Sequence, residues 1–189
     1  MSKKKKRVTN KNDIIEIRVK RFLAMVIDWY LTNMLAVIPI TFYFRNGDYL
    51  QPYMFDFTHY DFQTALLLIL YGIAIGLIYY IIIPVFLWKG QTLGKKLCKI
   101  QIVDINENNI TLKTMLLREL VGATLLEGGI VITATYLRKL LPVFGFTSFV
   151  EPLKYLAYGL TLLSILYAYF QPNSQSFHDK IAQTIIIKK

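Results

Sequence analysis

The sequence has a single cysteine, Cys98, so no disulfide can close within the chain, and none of its Cys/His spacings matches a structural zinc site. A disulfide-stapled extracellular scaffold is excluded. Catalytic constellations are equally scarce. Cys98 lies in a basic segment with no histidine set beside it by sequence, the serines stand in no nucleophile-elbow context, and the acids are scattered rather than paired for acid–base work. Neither an enzyme nor a cofactor or metal is expected. Internal repeats and long linkers are missing as well. Acids are few: 12 Asp and Glu stand against 22 Lys and Arg, a formal charge of +10.

What the chain has in excess is apolar residues. With 54% hydrophobic residues and a mean hydropathy of +0.41, its 189 residues are too apolar for a soluble single domain. The composition is that of a membrane protein, whose basic minority must sit where water or lipid headgroups solvate it. A helix needs ~20 apolar residues to cross ~30 Å of hydrocarbon. Four stretches approach that length, at about 22–44, 64–88, 112–137 and 149–170.

The first follows a basic leader, Lys3, Lys4, Lys5, Lys6 and Arg7, but is too long for a cleaved signal sequence, contains Asp28 and lacks a small-x-small cleavage site. It reads as a retained span. The second carries no charge, and its Gly72 and Gly76 are spaced as on a close-packing helix face, either inside the bundle or at a dimer contact. The third holds Arg118, Glu119 and Glu127. The fourth is rich in Leu, Tyr and Ala. Residues 1–12 read as a disordered basic leader and 13–189 as one transmembrane domain.

Orientation follows from Lys and Arg in the short flanks, which resist translocation. Nine basic residues lie in the leader through Arg21, Lys89, Lys95, Lys96, Lys99 and Lys113 lie between spans two and three, and Lys180, Lys188 and Lys189 lie in the tail. The segment 45–63 has only Arg45 against Asp48, Asp56 and Asp61, and the last connection only Arg138 and Lys139. Both termini are therefore expected in the cytoplasm.

After the second span comes GQTLGKKLCKIQIVDINENNITL. Ile100, Ile102 and Val103 predict a short strand, residues 106–109 a turn, and residues 110–112 a returning strand or the start of a helix. Residues 184–187, Thr-Ile-Ile-Ile, have strand composition and are assigned to the same patch. The expected fold is an all-α membrane bundle of four helices with a small cytoplasmic β-hairpin-like patch.

GQTLGKK is not a phosphate-binding Walker loop: three residues separate Gly90 from Gly94, and Lys96 stands where Ser or Thr would hold Mg²⁺. It reads as a turn leaving the span, with Lys95, Lys96 and Lys99 lying against anionic lipid at ~1 kcal/mol each. The leader reads likewise. In a four-span protein, headgroup binding or topology explains KKKKR better than nucleic acid.

RVKRFLAMVIDWYL at the head of the first span, GQTLGKKLCKIQIVD after the second, LLREL in the third and SFHDKIAQTIII in the tail resemble, in that order, the RDD family of small multi-pass membrane proteins. Arg21 and Asp28 stand at the positions of the arginine and first aspartate that name the family. The second aspartate falls on Asp104 or on Asp179. Gly90, Gln91, Thr92, Gly94, Lys95 and His178 complete the matching blocks. The resemblance implies a polytopic fold in a bacterial cytoplasmic membrane, with transport of a ligand the family does not define and sodium/proton antiport in some members.

An ionisable side chain at mid-membrane costs ~2.5–3.5 kcal/mol, so each needs a partner, a watery cavity or a place near the interface. Arg21 can snorkel; Asp28, seven residues on, lies ~10 Å deeper on the same helix face. Similar depth pairs Asp28 with Arg118 and leaves Glu119 for Arg21 or Lys20. That network is either a cation or proton site or a buried structural set that fixes helix register. Glu127, followed by Gly128 and Gly129 that kink the helix, either carries protons or makes a silent hydrogen bond to a serine or tyrosine. His178-Asp179 offers a pH-sensitive contact or, with Ser176, a helix cap. His59 among Asp56 and Asp61 reads as solvated charge rather than a metal site.

Two function classes follow. One is a transporter or antiporter of small cations or another ligand, with Asp28 as exchangeable site, Arg21 and Arg118 as counter-ions and Glu127 as proton carrier. Four spans supply two opposed units only by dimerising. The other is an accessory protein that binds a membrane partner, lipid or toxic peptide. The expected partners are anionic headgroups and a second copy or another membrane protein.

Overall fold

The computed structural model describes residues 11–43 and 55–189. The expectations placed on Lys3, Lys4, Lys5, Lys6 and Arg7 of the leader, and on Phe44, Arg45 and Asp48, fall outside those residues.

Helix α1 (Lys11–Tyr43) begins well before the predicted start at 22. Ile17, buried in the core, carries the packed face back among the charged residues Asp13, Glu16, Arg18 and Lys20, which a hydropathy window averages away. Helix α2 (Phe62–Leu77) starts where the Asp61 side chain accepts from the Thr64 amide at 3.0 Å, and it runs on as a wider π-helical stretch, Ile78–Leu87, with Pro84 inside. There follow α3 (Leu93–Leu97), β1 (Ile100–Asp104) and α4 (Leu112–Leu116), which also continues as a π-helical stretch, Leu117–Glu127. Then come α5 (Ile132–Val143), α6 (Val150–Phe170), α7 (Phe177–Ile181) and β2 (Thr184–Lys188).

Among the described residues three helices are long and apolar enough to cross a membrane: Asp13–Phe42, Phe62–Leu87 and Thr147–Phe170. The predicted third span breaks at the Gly128-Gly129 kink expected from sequence. Leu112–Glu127 and Ile132–Val143 meet at 52° and make a fourth crossing only as a broken pair. The break sits at Gly128, left-handed at φ +63°, whose N–H closes the helix on Ala123 O at 2.9 Å.

The predicted strand and tail do pair: β1 and β2 are antiparallel, from Ile100 opposite Lys188 to Asp104 opposite Thr184. The hairpin expectation is corrected, because β1's partner comes from the end of the chain. Asp104 folds the intervening turn by accepting from the Asn106 and Asn108 amides at 2.9 and 2.7 Å, which leaves one isolated bridge, Val103 to Asn109. Thr111 then caps α4 through the Thr114 amide at 3.2 Å, so the returning residues become helix.

One core cluster, at the sheet end, joins Ile17, Ala24, Ile81, Ile100, Ile102, Met115 and Ile186; another, at the far end, joins Ala36, Ile40, Ala65, Ile69, Ile132 and Tyr136. Gly72 and Gly76 are buried against α5: a β-carbon would strike the Tyr136 ring at Gly72 and Thr133 and Ile132 at Gly76. The glycine face is thus internal packing and is not free to serve as a dimer contact. Gly72→Ala is expected to cost about 1–3 kcal/mol of stability by overpacking. A lower Tm in detergent, partly restored by adding Tyr136→Ala, is the expected reading; an unchanged Tm would show that the helices part without cost.

Candidate functional site

Asp28 is 2% exposed, on the face of α1 that meets the strap linking α2's π-helical stretch to β1. Its carboxylate accepts from Tyr79 Oη at 2.5 Å, Thr92 Oγ1 at 2.5 Å and the Gly94 amide at 2.8 Å, with Lys95 Nζ at 3.4 Å. A β-carbon on Gly94 would strike Ala24 O and Asp28, so α3 lies this close to α1 only because residue 94 is glycine. Lys95 is thereby turned inward rather than laid on lipid as expected, and Lys96 stacks over Trp88 at 4.6 Å.

The Asp28–Arg118 pair predicted from depth does not form. Arg118, itself 4% exposed, binds Asp179 through Nε at 3.1 Å and Nη2 at 3.0 Å, and its neighbour Glu119 through Nη1. Glu119 therefore answers Arg118 and not Arg21 or Lys20, while Lys20 pairs with Glu16 at 2.7 Å. The tail decides this: it inserts α7 between the arginines, and Asp179 bridges them, with Arg21 Nη2 on its second oxygen at 2.5 Å.

Asp179 is fully buried and closes a capping box, accepting from Ser176 N at 3.1 Å and Ser176 Oγ at 2.8 Å. Burial alone would raise its pKa, yet the Arg21 guanidinium, with His178 when protonated and with Arg118, holds it well below the usual carboxylate range. Of the two aspartates that match the family's second position, Asp104 shapes a turn and Asp179 meets the arginines.

Glu127 joins the same tail. Its Oε1 accepts from Ser164 Oγ at 2.7 Å, the His178 amide at 3.0 Å and His178 Nδ1 at 2.9 Å. His178 Nε2 faces Arg21 Nη2 at 3.1 Å and Ser176 Oγ at 3.0 Å. An arginine only donates, so Nε2 accepts, and the imidazole proton sits on Nδ1, aimed at Glu127.

Arg21, Asp28, Arg118, Glu119 and Glu127, singled out from sequence, all line one cavity of about 340 Å³ between α1, the continuation of α4, α6 and the tail. They share the cavity, but the pairs differ from those expected. Tyr79, Ser164 and Ser174 were missed, and the signal available for each was one polar group in an otherwise apolar stretch or in a short loop. Near the other end His59 pairs with Asp56 at 3.5 Å while Asp61 caps α2. Among the described residues no group of three or more His, Cys, Asp or Glu is placed to hold a metal ion.

A mostly helical chain with a charge-lined cavity, a strap docked on Asp28 and a tail folded back between two arginines defines a membrane-type helical protein. The sequence profile of the RDD family matches residues 18–183, most of the chain. The chain belongs to the RDD family. No curated protein and no solved structure matches it.

Proposed function

We propose that this RDD-family chain is a multi-pass protein of a bacterial cytoplasmic membrane that exchanges protons for a small cation or another small ligand through the cavity. In this reading the bent pair is one crossing, and both termini face the cytoplasm, where the basic flanks would be held. The observation that carries it is the Glu127–His178 hydrogen bond, 2.9 Å long, in the wall of a cavity shared with Arg21 and Asp28.

The pair has the chemistry of a proton carrier. A proton arriving at His178 Nε2 turns that atom from acceptor to donor and expels Arg21, which can only donate. A proton on Glu127 weakens the bonds it accepts from Ser164 and His178. The first event loosens the tail from α1, and the second loosens the continuation of α4 from α6 and the tail, the motions that exchange requires. Asp28 accepts a cation only if Lys95, its longest contact at 3.4 Å, withdraws first. Arg21 and Arg118 act as counter-ions to Asp179.

In proteoliposomes carrying Na⁺, K⁺ or Li⁺ gradients, Glu127→Gln is expected to lower cation-dependent proton flux about a hundredfold or more, the lower end of a proton-transfer group's contribution. Gln preserves the shape, so Tm should move little. Unaltered flux in Glu127→Gln would remove this carrier. Absence of flux from well-folded native protein would favour a second reading, a non-transporting accessory protein that binds a membrane partner, lipid or toxic peptide. One observation favours that alternative: among the described residues every buried side-chain nitrogen and oxygen has a hydrogen-bond partner, so the network is already closed.

A further inference from the structure

The cavity has a neighbour outside the bundle. Ile14, Ile15, Val19 and Phe22 of α1 and Tyr169 of α6 line a surface groove of about 610 Å³, and Arg18 belongs to both the groove and the cavity. The apolar walls are open to the surroundings, with Val19 54% and Phe22 60% exposed.

Arg18 differs from five basic residues packed at this end, although Lys96, over Trp88, and Lys189, on Gln91, also meet neutral partners. Arg21, Lys20, Lys95, Arg118 and Lys188 each sit against a carboxylate. Arg18 instead donates from Nε to Ser174 Oγ at 2.8 Å and from Nη2 to Gln171 O at 3.3 Å, and stacks over Tyr169 at 4.8 Å. All three partners are neutral. The nearby carboxylates on α1 are engaged elsewhere, Asp13 by Lys188 and Glu16 by Lys20 and Lys188. A guanidinium has five N–H donors in a fork that suits phosphate; among the described residues Arg18 meets no carboxylate, and beyond its two bonds and the Tyr169 ring three donors remain to answer one.

We infer that Arg18 and this groove form a binding site for an anionic phospholipid, with the phosphate on the guanidinium and an acyl chain along Ile15, Val19 and Phe22. Charge complementarity names the occupant. A cation at the rim of an exposed apolar groove, on a helix long enough to cross a bilayer, matches an amphiphile with its charge at one end. The site does not depend on the transport reading, and Tyr169 ties it to α6 through the same ring that supports Arg18.

Native mass spectrometry of the full chain, equilibrated with dioleoyl-phosphatidylglycerol or dioleoyl-phosphatidylcholine, tests it. The native chain should retain one phosphatidylglycerol in preference to phosphatidylcholine. Arg18→Gln should weaken that preference about fivefold, the loss of one surface phosphate contact. Ile15→Trp should lower retention by filling the groove while leaving the cation in place, and so decides the matter should Arg18→Gln fold poorly. Lys113→Gln, the same charge change at an exposed site on α4, should leave the preference intact. No preference in the native chain overturns the site. So does a preference that survives Ile15→Trp, or one that Lys113→Gln reduces as much as Arg18→Gln.

Discussion

Asp179→Asn is expected to destabilise the fold by about 3–5 kcal/mol, the cost of removing one member of a buried ion network. Arg21 loses its carboxylate partner, Arg118 keeps only Glu119, and the capping box that starts α7 loses a charged acceptor. The amide's NH₂ would also face guanidinium or Ser176 donors with which it cannot bond. The dependence on pH has a definite sign. Because the native pKa of Asp179 is lowered, its contribution is present in full above the unfolded value of ~3.9 and is lost as pH falls through the native value. Melts in detergent should therefore show the native chain holding this stability from pH 7 down to about 4 and losing it below, while Asp179→Asn lacks it throughout. Parallel pH curves for the two proteins would sink the assignment.

Asp28→Asn is the second large effect, expected to cost about 2–4 kcal/mol. The carboxylate accepts from Tyr79, Thr92, the Gly94 amide and Lys95, and an amide offers one oxygen and two unwanted donors to that set. The strap carrying α3 should come loose from α1, seen as a lower Tm and as faster hydrogen exchange at residues 91–97. A variant that melts and exchanges like the native chain would show that Asp28 is not a staple. Lost flux in Asp28→Asn then bears on transport only when measured beside these two properties.

The apolar helices near 64–88 and 149–170 were legible because hydropathy is local and additive. That these ionisable residues needed a partner or a cavity was legible for a related reason, since each costs energy in an apolar stretch; all five line one cavity, but Asp28 is held by the strap and Asp179, read from sequence as a cap or signature residue, bridges the arginines. The pairings were not legible. Arg21, Lys95 and Arg118 are interchangeable as partners when only depth is known, and the choice among them depends on which segment folds back into the bundle. Lys95 reaches Asp28 because the strap does; Asp179 reaches both arginines because the tail does.

By itself, then, the sequence determined the membrane-type composition, the apolar helices, the RDD blocks, the kink-forming Gly128-Gly129 and the charged residues that must be accommodated. Tertiary structure alone decided that β1 pairs with β2, that Gly72 and Gly76 face Tyr136 and Thr133, and that Asp179 rather than Asp28 holds Arg118. Composition and periodicity act over one or two helical turns, whereas each of these contacts joins residues distant in the chain. Which distant groups meet is settled by packing and by the need of every buried charge for a partner.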